Sequence, residues 1–120
     1  MNTIEAPITF VPKGWGYEKW IWNNHEYCGK LLFMTGGKKL SWHYHLLKDE
    51  TFFIQSGHVT VIYGDTDDMT TAFSKELTAG DTFHVYRGLR HRLVAHSDSE
   101  VFEFSTQHFD SDSIRVEKGD

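Results

Sequence analysis

The sequence predicts an all-β domain, either a sandwich or a closed barrel. Short segments of alternating apolar residues recur at regular spacing, with turn residues between them. Aromatic residues make up 15% of the 120 positions and prolines number only 2, a composition that suits strands. No segment holds a helical apolar period over three turns.

Taken in order, Ile8 to Val11 reads as a short edge strand limited by Pro7 and Pro12, because proline cannot donate to a ladder. Trp15 to Trp22 alternates and forms the next strand. Asn23-Asn24 turns the chain, Tyr27 to Thr35 returns it, and Gly36-Gly37 turns it again. Leu40 to Leu46 and Glu50 to Gln55 follow as strands, and Ser56-Gly57 sets His58 to Tyr63 at hairpin distance. Gly64 to Asp68 is an acidic turn. Asp65, Asp67 and Glu76 have the offsets of a calcium loop, but Thr70 stands where that loop needs glycine and no flanking helices are expected, so the turn is read as solvated. Met69 to Leu77, Thr82 to Tyr86, His91 to His96 and Glu100 to Gln107 complete the strands. Turns at Ala79-Gly80-Asp81, Arg87 to Arg90 and Ser97-Asp98-Ser99 separate them. The tail from Asp110 to Asp120 is charged and is expected to be partly ordered.

The length corresponds to one domain, residues 1–120, with enough chain to bury a core. The net charge of −5 and sequence pI of about 5.9 argue against a general nucleic-acid binder. No apolar run approaches the roughly 20 residues of a membrane helix. Met1 to Glu5 lacks a basic region followed by an apolar run, so no signal peptide is expected. Cys28 is the single cysteine; it reads as a small buried side chain and fits a reducing cytoplasm.

The stretch from Gly37 to Gly57 carries chemistry. On a strand, residues two apart share a face, so His43 and His45 project side by side. A short turn can return Glu50 to the same point. Two imidazoles and a carboxylate suit a divalent transition metal. A His-x-His pair alone is weakly specific, and a lone strand histidine is more often just hydrogen-bonded. Further on, Gly80 to His91 carries two glycines and then a histidine that opens a strand.

Gly37-x5-His43-x-His45-x4-Glu50-x6-Gly57 resembles the first cupin motif at every fixed position. Gly80-x5-Tyr86-x-Gly88-x2-His91-x3-Ala95 resembles the second, with Tyr86 in place of the family's proline and Ala95 in place of its asparagine. The motifs cover residues 37–57 and 80–95. The resemblance implies a double-stranded β-helix, the jelly-roll cupin barrel, with one metal held inside by His43, His45, Glu50 and His91. Lys13 to Glu18, Ser105 to Asp110 and Asp112 to Arg115 are similar to the segments that open and close the cupin part of type II mannose-6-phosphate isomerases.

Three imidazoles and a carboxylate favour Zn, Mn, Fe, Ni or Co over Mg or Ca. In an aldose–ketose isomerisation the metal would act as a Lewis acid on the carbonyl and its neighbouring hydroxyl, and a base would move a proton between adjacent carbons. Candidates for the base are His84, Glu103, His108 and Tyr63, although each alone is more often structural. Phe52, Ile54, Leu93 and Ala95 alternate onto the donors' face as apolar walls, whereas Trp42 and Tyr44 alternate away. Arg87 and Arg90, with Lys48, are placed to bind an anionic substrate; the bland alternative is solvent-facing loop arginines. Three function classes follow: a metal-dependent isomerase or epimerase of a sugar or sugar phosphate, an iron-dependent dioxygenase or lyase, and a non-catalytic small-ligand-binding module. The aromatic stretch Trp15 to Trp22 exceeds what a domain this small readily buries, which predicts a homodimer.

Overall fold

A computed structural model describes residues 4–120. Among the described residues, eleven strands form two antiparallel sheets. In chain order they are β1 (Thr9–Lys13), β2 (Gly16–Asn23), β3 (Cys28–Met34), β4 (Trp42–Tyr44), β5 (Glu50–Ser56) and β6 (His58–Gly64). They continue as β7 (Phe73–Thr78), β8 (Thr82–Val85), β9 (Arg90–Ala95), β10 (Ser99–Ser105) and β11 (Ile114–Glu117). One sheet runs β1-β2-β3-β10-β5-β8 and the other β11-β4-β9-β6-β7. From β3 onward successive strands alternate between the sheets, except for the β6–β7 hairpin, which gives the jelly-roll arrangement.

Alternation explains the core. Along β3, Cys28, Lys30, Leu32 and Met34 are buried, and along β6 Val59 and Val61 are. The inward residues of both sheets make one apolar cluster, centred on Met34, Ile54, Val59, Leu77, Leu93 and Val101, each at most 0% exposed. Phe52, Ile54, Leu93 and Ala95 belong to it, as their alternation required. Cys28 is buried at 2% exposure, and burial pushes its thiol pKa up.

Several boundaries differ from the sequence reading. β1 runs through Pro12 to Lys13, which the edge position permits because the missing N–H faces away from a partner. The His-x-His strand is only Trp42–Tyr44. Met69–Thr71 is a single 3₁₀ turn rather than the start of a strand. Asp68 caps it by accepting from the Thr70 N–H at 2.9 Å, which holds the chain out of the ladder until Phe73. The tail is ordered throughout: a 3₁₀ turn at Asp110–Asp112 leads into β11, which pairs with β4. Strand polarity there is concealed by charge, because β11 is an edge with mostly exposed side chains.

Gly57 turns the chain from β5 in one sheet to β6 in the other, so the two strands are not the paired hairpin their spacing suggests; its φ is +95°, and a Cβ there would lie 2.2 Å from Ser99 Oγ. Both the left-handed backbone and the contact require glycine. Trp42 is 1% exposed and donates its Nε1–H to the Asp67 carbonyl at 2.9 Å, packing beneath the acidic turn. Among the described residues no helix is long and apolar enough to cross a membrane.

Candidate metal centre

His43 and His91 are direct partners across the β4–β9 ladder. His45 lies two residues after His43, immediately past the end of β4, and Glu50 opens β5 in the opposite sheet. The four side chains therefore meet between the sheets. The His43 and His91 rings lie 4.3 Å apart, His43 and His45 5.0 Å, and His45 and His91 5.4 Å, centre to centre. One ring nitrogen of each falls within 4.8 Å of the other two. Glu50 Oε1 is 3.0 Å from His91 Nε2 and 3.5 Å from His45 Nε2.

The outer nitrogens fix the tautomers. His43 Nδ1 lies 2.9 Å from the Ser41 carbonyl, His45 Nδ1 3.1 Å from the Asp112 carbonyl, and His91 Nδ1 2.9 Å from the Leu89 carbonyl. A carbonyl only accepts, so each Nδ1 carries the proton and each Nε2 presents a lone pair inward. Glu50 and His91 are 2% and 0% exposed, yet among the described residues both Glu50 oxygens and His91 Nε2 lack a hydrogen-bond partner. Buried acceptors facing one another are unfavourable unless a cation lies between them. The donor set thus fits a divalent transition metal, with His43, His45, His91 and Glu50 as the residues able to hold it.

The electrostatics agree. Burial, with His91 and His45 beside it, holds the His43 pKa well below the usual histidine range, so the ring stays neutral. Burial alone would raise the Glu50 pKa. The Lys48 ammonium, 3.3 Å from Oε2, is the largest opposing influence, and the Glu50 pKa lies well below the usual carboxylate range.

Asp112 organises the approach to this centre. Its carboxylate accepts from the backbone N–H groups of Leu46 at 2.9 Å, Leu47 at 3.0 Å and Lys48 at 3.0 Å. This fixes the loop between His45 and Glu50, while the Asp112 carbonyl orients His45. Across the barrel, Gly88 at φ +87° donates its N–H to the His45 carbonyl at 2.7 Å. Sequence reasoning assigned Asp112 no role at the centre. Its partners lie up to 67 positions away, and only the fold joins them.

A cavity of about 160 Å³ opens beside His43, His45 and Glu50. Five basic residues line it, Lys13, Lys30, Lys48, Arg115 and Lys118, against four acidic ones, Glu18, Glu50, Glu103 and Asp120. The lining is thus slightly basic in a chain of net charge −5. Lys48 joins the centre to the wall: its ammonium lies 3.0 Å from Glu103 and 3.2 Å from His108 Nδ1. Burial and the Glu50 charge raise the Glu103 pKa. Burial, with Lys30 and Lys48 nearby, lowers that of His108 to about 4, and His108 Nε2 is bonded to Asp110 at 2.8 Å.

Of the candidate bases, Glu103 and His108 line the cavity. His84 is exposed on β8 and bonded to Asp49 at 2.6 Å. Tyr63 packs between Phe73 and Phe83. Neither faces the cavity, nor do the two loop arginines. Arg87 donates to the Leu47 carbonyl at 2.9 Å. Arg90 pairs with Asp67 at 2.9 Å and lies 3.6 Å over the Tyr44 ring. The cations at the cavity come instead from β1, β3, the 45–50 loop and the closing segment. Lys30 gave no sequence signal because a lysine within a strand is ordinarily solvent-facing, whereas here it is buried in β3.

Fold and site together define a jelly-roll barrel with a three-histidine, one-carboxylate centre. The cupin domain model matches residues 29–106, and the chain belongs to the cupin family. No curated protein matches it. Similar solved structures include the capsular polysaccharide assembling protein CapF from Staphylococcus aureus, with TM-score 0.82 and 15% identity over 94% of this chain and 33% of that one. Oxalate decarboxylase from Bacillus subtilis matches with TM-score 0.78 and 14% identity over 90% of this chain and 30% of its own. KdgF from Halomonas sp. matches with TM-score 0.68 and 18% identity over 92% and 87% of the two chains. The chain spans about a third of the length of the first two proteins. These comparisons reach the cupin superfamily, not the type II mannose-6-phosphate isomerases in particular.

Proposed function

We propose that the chain is a metal-dependent isomerase or epimerase of a small anionic sugar, such as a sugar phosphate. The observation that carries this reading is the Lys48-bridged group. It sets a carboxylate of raised pKa, Glu103, one ammonium away from the donor Glu50, in a cavity lined by further cations. A divalent cation held by His43, His45, Glu50 and His91 would supply Lewis-acid polarisation of a carbonyl and its neighbouring hydroxyl. Lys13, Arg115 and Lys118 bind the substrate's anionic group at the mouth. Glu103 takes the proton from one carbon and returns it to the next, its raised pKa matching it to that task. Lys48 holds the Glu103 carboxylate in place and is itself in contact with His108 Nδ1. The resemblance of the end segments to type II mannose-6-phosphate isomerases supports the sugar assignment, since both segments line this cavity, Lys13 and Glu18 from the opening one and His108 and Arg115 from the closing ones. The protein works as a homodimer in the cytoplasm on this reading, associating through the aromatic outer face of the six-stranded sheet.

The test is a panel of mannose, fructose, lyxose and their phosphates with Zn, Mn, Co and Ni. Turnover should depend on metal and fall at least a hundredfold in Glu103→Gln, with metal content unchanged. A panel with no interconversion overturns the isomerase. Two histidines and a carboxylate also support O₂ chemistry on iron, so oxygen uptake with Fe(II) is the second assay.

A further inference from the structure

The outer face of the five-stranded sheet carries a separate cluster of donors. Val59, Val61, Leu77 and Ala95 point into the core at 0–1% exposure, so their neighbours His58, Thr60, Glu76 and His96 point outward. Register brings these four together. Thr60 lies opposite Glu76 in the β6–β7 ladder. The His96 N–H donates to the His58 carbonyl at 2.9 Å, which sets His96 beside His58 just past the end of β9. The side chains converge: Glu76 Oε2 is 2.5 Å from His58 Nε2 and 3.7 Å from His96 Nε2. The two rings lie 4.6 Å apart, and one donor atom from each of the three residues falls within 4.8 Å of the others.

We propose that His58, Glu76 and His96 form a second site for a divalent transition cation such as zinc, copper or nickel. Two imidazole nitrogens and one carboxylate oxygen suit these cations and disfavour calcium and magnesium, which take oxygen. In a tetrahedral site with metal–donor distances of about 2.0–2.1 Å the donors stand about 3.4 Å apart. The two spacings around Glu76 bracket that value, and side-chain rotations of about 1 Å reach it. All three side chains are 43–59% exposed and free to make that adjustment, while their backbones are held in the ladder. Without a cation the group is tied by protons. Thr60 Oγ1 donates to Glu76 Oε1 at 2.7 Å and accepts from His96 Nε2 at 2.5 Å, and His58 Nε2 donates to Glu76. On cation binding each imidazole moves its proton from Nε2 to Nδ1, so no proton need leave the protein. The remaining position is taken by water.

The outer site differs from the central one in enclosure. No backbone carbonyl is bonded to either of its rings among the described residues, and solvent reaches all three donors. Its affinity is therefore lower and its exchange faster. It is independent as well: His96 follows His91 by five residues of extended chain, about 16 Å. Its cation would clasp β7, an edge strand, to β6 and β9.

The test is zinc binding to chelator-stripped protein, followed by calorimetry and by elemental analysis after equilibrium dialysis. Wild type should take up two equivalents, one tight and one at least tenfold weaker. His58→Gln/His96→Gln should lose only the weaker equivalent and melt, metal-free, at the wild-type temperature. His43→Ala/His91→Ala should keep the weaker one, and zinc should still raise its melting temperature. Equal stoichiometry in wild type and His58→Gln/His96→Gln, or no zinc-dependent rise in His43→Ala/His91→Ala, overturns the proposal.

Discussion

Asp112→Ala separates the roles of the loop nest and of the donors it supports. The carboxylate accepts three backbone N–H groups. Lys48 is 2% exposed, so its N–H is left without water, at a cost of about 1–3 kcal/mol. Leu46 and Leu47 are 58% and 60% exposed, so their N–H groups regain solvent and lose about 0.5–1.5 kcal/mol each. The loss is about 4 kcal/mol in all. With an unfolding entropy of about 2.1 cal/mol/K per residue over 120 residues, this lowers Tm by about 16 °C. The assay is calorimetric melting in chelator, so that metal linkage does not enter. Asp112→Asn keeps one carbonyl oxygen as acceptor and should lose roughly half as much. Metal affinity should fall about 10–100-fold in Asp112→Ala, because the loop and the carbonyl that orient His45 shift together. Ser113→Ala, at an exposed neighbour, serves as control and should change neither. If Asp112→Ala melts within about 3 °C of wild type and binds metal equally well, the nest does not hold the centre.

His91→Ala should lower central metal affinity by about two orders of magnitude, read by elemental analysis after dialysis; unchanged occupancy would remove His91 from the donor set. The folded pKa of His108, about 4, lies below its unfolded value of about 6.5, so the unfolded chain takes up the proton first. His108 therefore makes stability fall as pH drops from about 6.5 to 4, by roughly 2 kcal/mol after allowance for solvent screening. Denaturant titrations of wild type and His108→Gln across that window should converge at the acid end, and parallel curves would contradict this. Ile21, Trp22, Phe104 and Tyr27 stand 38–56% exposed on one face, so light scattering should give a dimer that Trp22→Glu/Phe104→Glu converts to monomer. A monomeric wild type at micromolar concentration would end the dimer reading.

The sheets were legible because their inward residues alternate. β3 reads buried, partly buried, buried along its whole length, and β5 repeats the pattern. His43, His45 and Glu50 were legible because three donors sit within eight residues, and His91 because a motif marked it. What escaped has a shared cause: it depends on partners remote in the chain. Asp112 looks like a tail acid until the fold sets it under the 45–50 loop. Lys30 has no evident role inside its strand until Glu18 stands 3.3 Å away and Trp20 lies 4.4 Å under its ammonium. Arg87 and Arg90 sit near His91 in sequence, but their side chains turn to Leu47 and Asp67 on the rim. Proximity along the chain does not decide which face a loop side chain takes.

The split of the donors between near and far in the chain also has a kinetic consequence. An unfolded chain already carries the His43, His45 and Glu50 trio and can capture a cation loosely through it. Full affinity waits for β9 to pair with β4 and for the closing segment to reach back 67 positions to His45. Such non-local closure comes late on a folding path of this topology. The central cation therefore does little to hasten folding. Its effect falls on the reverse journey, where every route out must first open a ring of donors drawn from both sheets, so the loaded barrel should persist far longer than its equilibrium stability alone suggests.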